Sequence, residues 1–135
     1  MDAATRKFVT ERASNCCEYC HFEQASATWI RFHIEHVRAR QHGGDDALDN
    51  LCLSCPSCNQ NKGPNQSGYD PETGDLTRLF NPRLDSWESH FRADEGVIYG
   101  LSPVGRATVS LLQMNRDRSL QLRQLREDES AEGAD

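Results

Sequence analysis

The sequence predicts a small α+β fold, a strand–loop–strand–helix core stapled by four cysteines and followed by a C-terminal hairpin and helix. Two observations carry this. Cys17-Glu-Tyr-Cys20 and Cys55-Pro-Ser-Cys58 are two CxxC pairs separated by 34 residues. Between them, β-branched and aromatic residues give way to a glycine pair and then to a second apolar run.

The elements follow in order. Residues 3–13, with Phe8 and Val9 among charged neighbours, suit a short helix leading into the first cysteines. Thr28, Trp29, Ile30, Phe32, Ile34 and Val37 predict a strand over residues 27–37. Gly43-Gly44 with Asp45 and Asp46 marks a loop, and residues 50–53 return as a second strand. Ser54 is then placed to cap a helix with Pro56 in its first turn and Gly63 just past its end. Residues 64–74 read as loop, with turn chemistry at Asp70-Pro71-Glu72-Thr73-Gly74. A hairpin is expected from residues 89–92 and 97–101 around Asp94-Glu95-Gly96. Ser102-Pro103 opens a helix with Val104, Ala107, Thr108, Leu111 and Leu112 on one face, and Leu120, Leu122 and Leu125 extend it or form another. The organisation expected is a core over 1–63, an extension over 64–126 packed on it, and an acidic disordered tail over 127–135.

A chain of 135 residues with 36% hydrophobic content has a small core that needs help from disulfides or metal. No apolar run resembles a signal peptide and no segment reaches membrane-spanning length, so a cytoplasmic protein without membrane contact is expected. In that compartment paired cysteines read first as ligands of a structural Zn²⁺. Cys52-Leu-Ser-Cys55 is also a CxxC, but Cys52 sits in an apolar run and is expected to pack as a small hydrophobe. Cys16 is expected to be a spare thiol. Five of the six excess negative charges lie in the tail, leaving a near-neutral body that permits a local basic patch.

CxxC, Glu35-His36, Gly43-Gly44, Asn50 and CxxCN with Lys62-Gly63 occur in the order of the HNH endonuclease family, and residues 17–63 resemble its zinc-stapled form. Residues 79–109 resemble the C-terminal extension of small bacterial members, many of them cyanobacterial. The resemblance implies a treble-clef-like ββα-metal site that cleaves DNA with one divalent ion. His36 is the expected general base, since imidazole titrates near working pH. Glu35 and Asn59 are the expected ligands of a catalytic Mg²⁺ or Mn²⁺, both hard oxygen donors. Asn59 stands where His or Asn occurs, which makes this an HNN variant, and Glu35 stands where Asp is common. Asn50 matches the middle Asn, which holds the loop and helps orient the base.

On a helix, Cys55, Cys58, Asn59 and Lys62 fall within roughly a 100° arc, and Lys62 is expected to contact phosphate. His33 shares a strand face with Glu35 and is either a further ligand or a core-edge histidine. Arg38 and Arg40 are candidates for tracking the DNA backbone. Trp29, Trp87 and Phe91 are expected in the core, and His21, His42 and His90 at the surface or in packing. Two other readings stay open: a non-catalytic zinc module binding nucleic acid or protein, and a nuclease subunit whose protein partner in a defence or phage complex supplies the DNA grip.

Overall fold

The computed structural model describes residues 1–117 and 119–125, and the acidic tail expected over 127–135 lies outside them. Among the described residues the fold is mixed α and β, with three separate antiparallel strand pairs and short helices. Helix α1 (Ala3–Arg12) is capped by Asp2, whose carboxylate accepts from the Thr5 amide at 2.7 Å. It buries Val9 and uses Arg12 to donate to the Leu48 and Leu51 carbonyls at 2.8 and 2.5 Å. The first helix is thereby tied to the second strand of the core hairpin.

That hairpin pairs β1 (His33–His36) with β2 (Leu51–Ser54) in the register His33↔Ser54 to His36↔Leu51. The first strand is much shorter than the sequence predicts. Residues upstream of it wrap around Gln24, whose side chain donates to the Ala27 and Ile30 carbonyls and accepts from the Phe32 amide. This clamp meets backbone hydrogen-bonding needs that a strand would have met. It also turns Trp29 out, 71% exposed, against the expectation of a core residue.

Helix α2 (Pro56–Lys62) follows directly. Its cap is Cys55 rather than Ser54, because Ser54 still belongs to β2; the Cys55 sulfur accepts from the Cys58 amide at 3.4 Å. The stretch expected as loop contains β3 (Ser67–Tyr69), paired with β4 (Leu76–Arg78). Three-residue strands with Gly68 at the centre carry no period-two signal. Asp70 closes this hairpin and is held by Arg106 at 3.0 and 2.8 Å, which keeps its carboxyl down at about 2.

The expected second hairpin is present as β5 (Phe91–Asp94) and β6 (Val97–Gly100), preceded by the short helix α3 (Trp87–His90). Glu95 and Gly96 both adopt positive φ, 50° and 80°, the pattern of a type I′ turn. Helix α4 (Pro103–Leu112) is capped by Ser102, whose hydroxyl accepts from the Gly105 amide at 3.0 Å. Residues 119–125 form a separate helical segment.

One hydrophobic cluster draws on both halves of the chain: Val9, Tyr19 and Phe32 meet Phe80, Phe91 and Leu112. Trp87, expected in the core, is half-buried and packs against it, donating from Nε1 to the Tyr19 carbonyl at 2.8 Å and stacking on His21 at 3.8 Å between ring centroids. Asn61 of α2 donates to the Leu112 carbonyl at 2.9 Å, and Arg83 pairs with Glu18. Glu18 in turn brackets Leu53, donating its amide to the Leu53 carbonyl at 2.9 Å and accepting from the Leu53 amide at 2.8 Å.

The loop between β1 and β2 folds back on Arg38. Gly43 has φ +86°, and a Cβ on Gly44 would stand 1.7 Å from the Arg38 carbonyl oxygen. Gly44→Ala is expected to cost about 2–4 kcal/mol in urea unfolding. Gly43→Asn should cost less than about 1 kcal/mol, because Asn tolerates the left-handed region.

Candidate functional site

The four cysteines singled out by spacing converge. The Sγ atoms of Cys17, Cys20, Cys55 and Cys58 all lie within 4.8 Å of one another, and all four residues are buried. Tetrahedral zinc with Zn–S bonds of about 2.3 Å sets its sulfurs about 3.8 Å apart, and the Cys20–Cys55 sulfur separation is 3.8 Å. Each knuckle also turns an amide onto its first sulfur, Cys20 N to Cys17 Sγ at 3.5 Å and Cys58 N to Cys55 Sγ at 3.4 Å. Hydrogen bonds from Cys17, Cys20 and Cys58 push the Cys55 thiol well down, while those of Cys20 and Cys58 are pushed well up. Four thiols so crowded cannot all ionise without a cation, and this donor set fits zinc. Cys52 lies outside the cluster, its sulfur 3.8 Å from the Tyr19 hydroxyl.

The staple fixes α2 against the core hairpin, and the groove between them is a cleft of about 470 Å³ lined by Glu35, His36, Arg40 and Asn59. Register explains the division of labour on β1. Glu35, opposite Cys52, points inward and is 7% exposed, whereas His36, opposite Leu51, lies at the open edge. Burial pushes the Glu35 carboxyl up to about 8, against the pull of the Lys62 ammonium 3.9 Å away. His33 is exposed at the start of β1.

The HNH endonuclease family model matches residues 17–65, the segment that carries both the cysteine cluster and this cleft. Residues 17–65 are an HNH-family domain. The chain is also 28% identical over 100 residues to the Septu protein PtuA of Bacillus mycoides (strain KBAB4). That alignment covers 68% of this chain and 14% of the relative, so the chain spans about one seventh of its length. No solved structure matches the chain.

Within the HNH domain, Asn50 staples the loop: its Oδ1 accepts from the Arg38 amide at 2.9 Å, and its Nδ2 donates to the Arg38 and Asp45 carbonyls at 3.1 and 2.8 Å. The residue that touches His36 is Asp46, whose carboxylate lies 2.7 Å from Nε2. Asp46 is also gripped by Arg40 at 2.8 and 2.9 Å, and the hydrogen bond from His36 is the main reason its carboxyl is held low. The sequence places Asp46 only in the loop after Gly43-Gly44; an acidic residue ten positions beyond the histidine carries no local signal of the contact.

Lys62 differs from expectation. It is only 2% exposed, and its ammonium donates to the Val37 carbonyl at 3.1 Å beside Glu35. The helix face bearing it is turned onto β1, so the ammonium is held inside by a backbone carbonyl rather than free to contact solvent-borne phosphate. Arg38 is likewise engaged, donating from Nε to the His42 carbonyl at 2.6 Å. Arg40 remains at the exposed rim of the cleft.

Cys58→Ala is expected to drop zinc from about one equivalent to well below half by metal analysis. It should also lower Tm by more than about 10 °C, because metal binding is folding free energy in such sites. Cys16→Ser should leave the zinc content at the wild-type value.

Proposed function

We propose that the chain hydrolyses DNA phosphodiester bonds as a divalent-ion-dependent HNH endonuclease. The observation that supports this best is the shared cleft, in which a carboxylate, an imidazole and an amide oxygen stand beside a cysteine-stapled helix. With Nε2–H donated to Asp46, the lone pair of His36 is on Nδ1, the nitrogen left to take a proton from the attacking water. Asp46 acts as a positioning residue: by accepting from Nε2–H it selects that tautomer and orients the ring. Glu35 and Asn59 are the residues that would hold Mg²⁺ or Mn²⁺, which offsets charge on the phosphorane and the leaving oxygen when bound. Arg40 is placed at the rim to meet the incoming backbone.

The contact between Glu35 and Lys62 favours a second reading, a zinc module that binds nucleic acid without cutting it, since an internal ammonium already competes for the proposed metal ligand. A third follows from the relative's length. A segment matching one seventh of a longer protein is suited to work with further protein, which would supply DNA grip that a near-neutral body lacks.

Supercoiled plasmid offered to the zinc-loaded chain with Mg²⁺ or Mn²⁺ separates these readings. Nicking or linearisation is expected, falling at least about 100-fold in His36→Ala with zinc content and Tm unchanged. Asp46→Asn should retain DNA binding and lose about tenfold or more in rate. Cleavage unaffected by His36→Ala removes that residue as the base; a folded, zinc-loaded chain that never cleaves supports the binding module or the missing partner.

Because the Glu35 carboxyl is held up to about 8, an ion bound there displaces a proton. Mg²⁺ or Mn²⁺ affinity by calorimetry should therefore rise between about pH 6 and 8 and level off above. Glu35→Gln should weaken binding and flatten that dependence.

A further inference from the structure

A second cleft, of about 290 Å³, shares Gln60 of α2 with the first. Phe22, Phe32 and Leu122 give it apolar walls, while Ser57 and two guanidinium groups, Arg116 and Arg123, supply its polar chemistry. Among the described residues lining it none is a carboxylate, although the chain as a whole carries a net charge of −6; Cys20 and Cys55 of the zinc knuckles form part of its wall.

Arg123 is only 8% exposed, and its partners are neutral oxygens. Nε donates to the Gly96 carbonyl at 2.8 Å, and Nη2 donates to the Met114 carbonyl at 2.6 Å and to Asn115 Oδ1 at 3.2 Å. Those bonds tether the 119–125 helical segment to the β5–β6 turn, which accounts for two nitrogens of the guanidinium. Among the described residues they leave it without a carboxylate partner and its Nη1 without a hydrogen bond. The zinc-knuckle sulfurs of Cys20 and Cys55 border the same cleft and offset part of that charge, but they leave the buried Nη1 donor unsatisfied, and an acceptor oxygen in the cleft would relieve it. On the same cleft, the exposed Arg116 is held in place by a 2.6 Å hydrogen bond from Nη2 to the Ser57 hydroxyl. Further guanidinium donors of Arg116 remain for an anion.

We infer that this second cleft binds a phosphate of the same nucleic-acid strand that enters the Glu35–His36–Asn59 cleft, with Arg116 as the contacting group and Arg123 as a fixed, buried donor in its wall. The inference rests on the nuclease reading for the identity of the ligand. Gln60 makes the two clefts neighbours along α2, so a strand engaged at one reaches the other. The apolar walls then face the sugar or base next to the bound phosphate.

The test uses the zinc-loaded His36→Ala chain, fluorescein-labelled duplex DNA and no added divalent ion, with affinity read by anisotropy at two salt concentrations. Arg116→Glu in that background is expected to weaken binding at least fivefold and to reduce the salt slope by about one. Arg92→Glu, an equal charge change at a residue stacked on Tyr99 in the β5–β6 hairpin, should change affinity less than twofold. Equal losses in the two variants, or none in Arg116→Glu, overturn the inference. Inorganic phosphate binding that Arg116→Glu abolishes while DNA affinity stays intact overturns it too, since the cleft is then a site for small anions. Plasmid cleavage by the parent chain reports separately. A chain that binds DNA through Arg116 but never cuts keeps this subsite and loses the catalytic reading; one that cuts, with Arg116→Glu at parental DNA affinity, does the reverse.

Discussion

Everything else in this molecule depends on the convergence of four sulfurs from two distant turns. The first CxxC lies between α1 and the Gln24 clamp, and the second caps and opens α2. Their convergence joins a helix of seven residues and a hairpin with four-residue strands, elements too short to hold their relative orientation by packing alone. The groove between that helix and that hairpin is where Glu35, His36 and Asn59 meet. The cysteine cluster and the candidate cleft therefore share α2. Glu18 and Arg83 add a second fastening, linking the first knuckle both to β2 and to the extension.

Features governed by local rules were legible in the sequence. The CxxC pairs, Pro56 and Gly63 around α2, Ser102-Pro103 before α4 and the hairpin turn at Glu95-Gly96 each depend on residues a few positions apart. The β3–β4 hairpin was not, because its strands are three residues long with a glycine in the middle, and its closure depends on Asp70 meeting Arg106 from α4. Trp29 misled for a related reason. Its composition suits a strand interior, but the side chain of Gln24 captured the backbone there first.

In the cleft, residue types were legible and directions were not. The pattern identified His36, but its hydrogen-bond partner Asp46 comes from a loop whose path is set by Asn50 bonding across it and by glycines packed on Arg38. Helical geometry put Lys62 on the face shared with Asn59 without saying that this face turns inward at its end. A periodicity argument places a Cα on an arc; whether a long side chain reaches outward or back into the protein depends on what the neighbouring strand offers it. The Val37 carbonyl offers Lys62 a hydrogen bond, and a Glu35 carboxyl oxygen stands 3.9 Å from its ammonium.

The stacking of Trp87 on His21, with its indole donating to the Tyr19 carbonyl, lays the extension over the turn that contains two of the four sulfurs. All four cysteines are nearly inaccessible to solvent. That packing shields the first knuckle from one side only, since Cys20 and Cys55 also border the cleft of about 290 Å³ beside α2. A chelator's approach to the sulfurs therefore runs along α2 rather than through the extension.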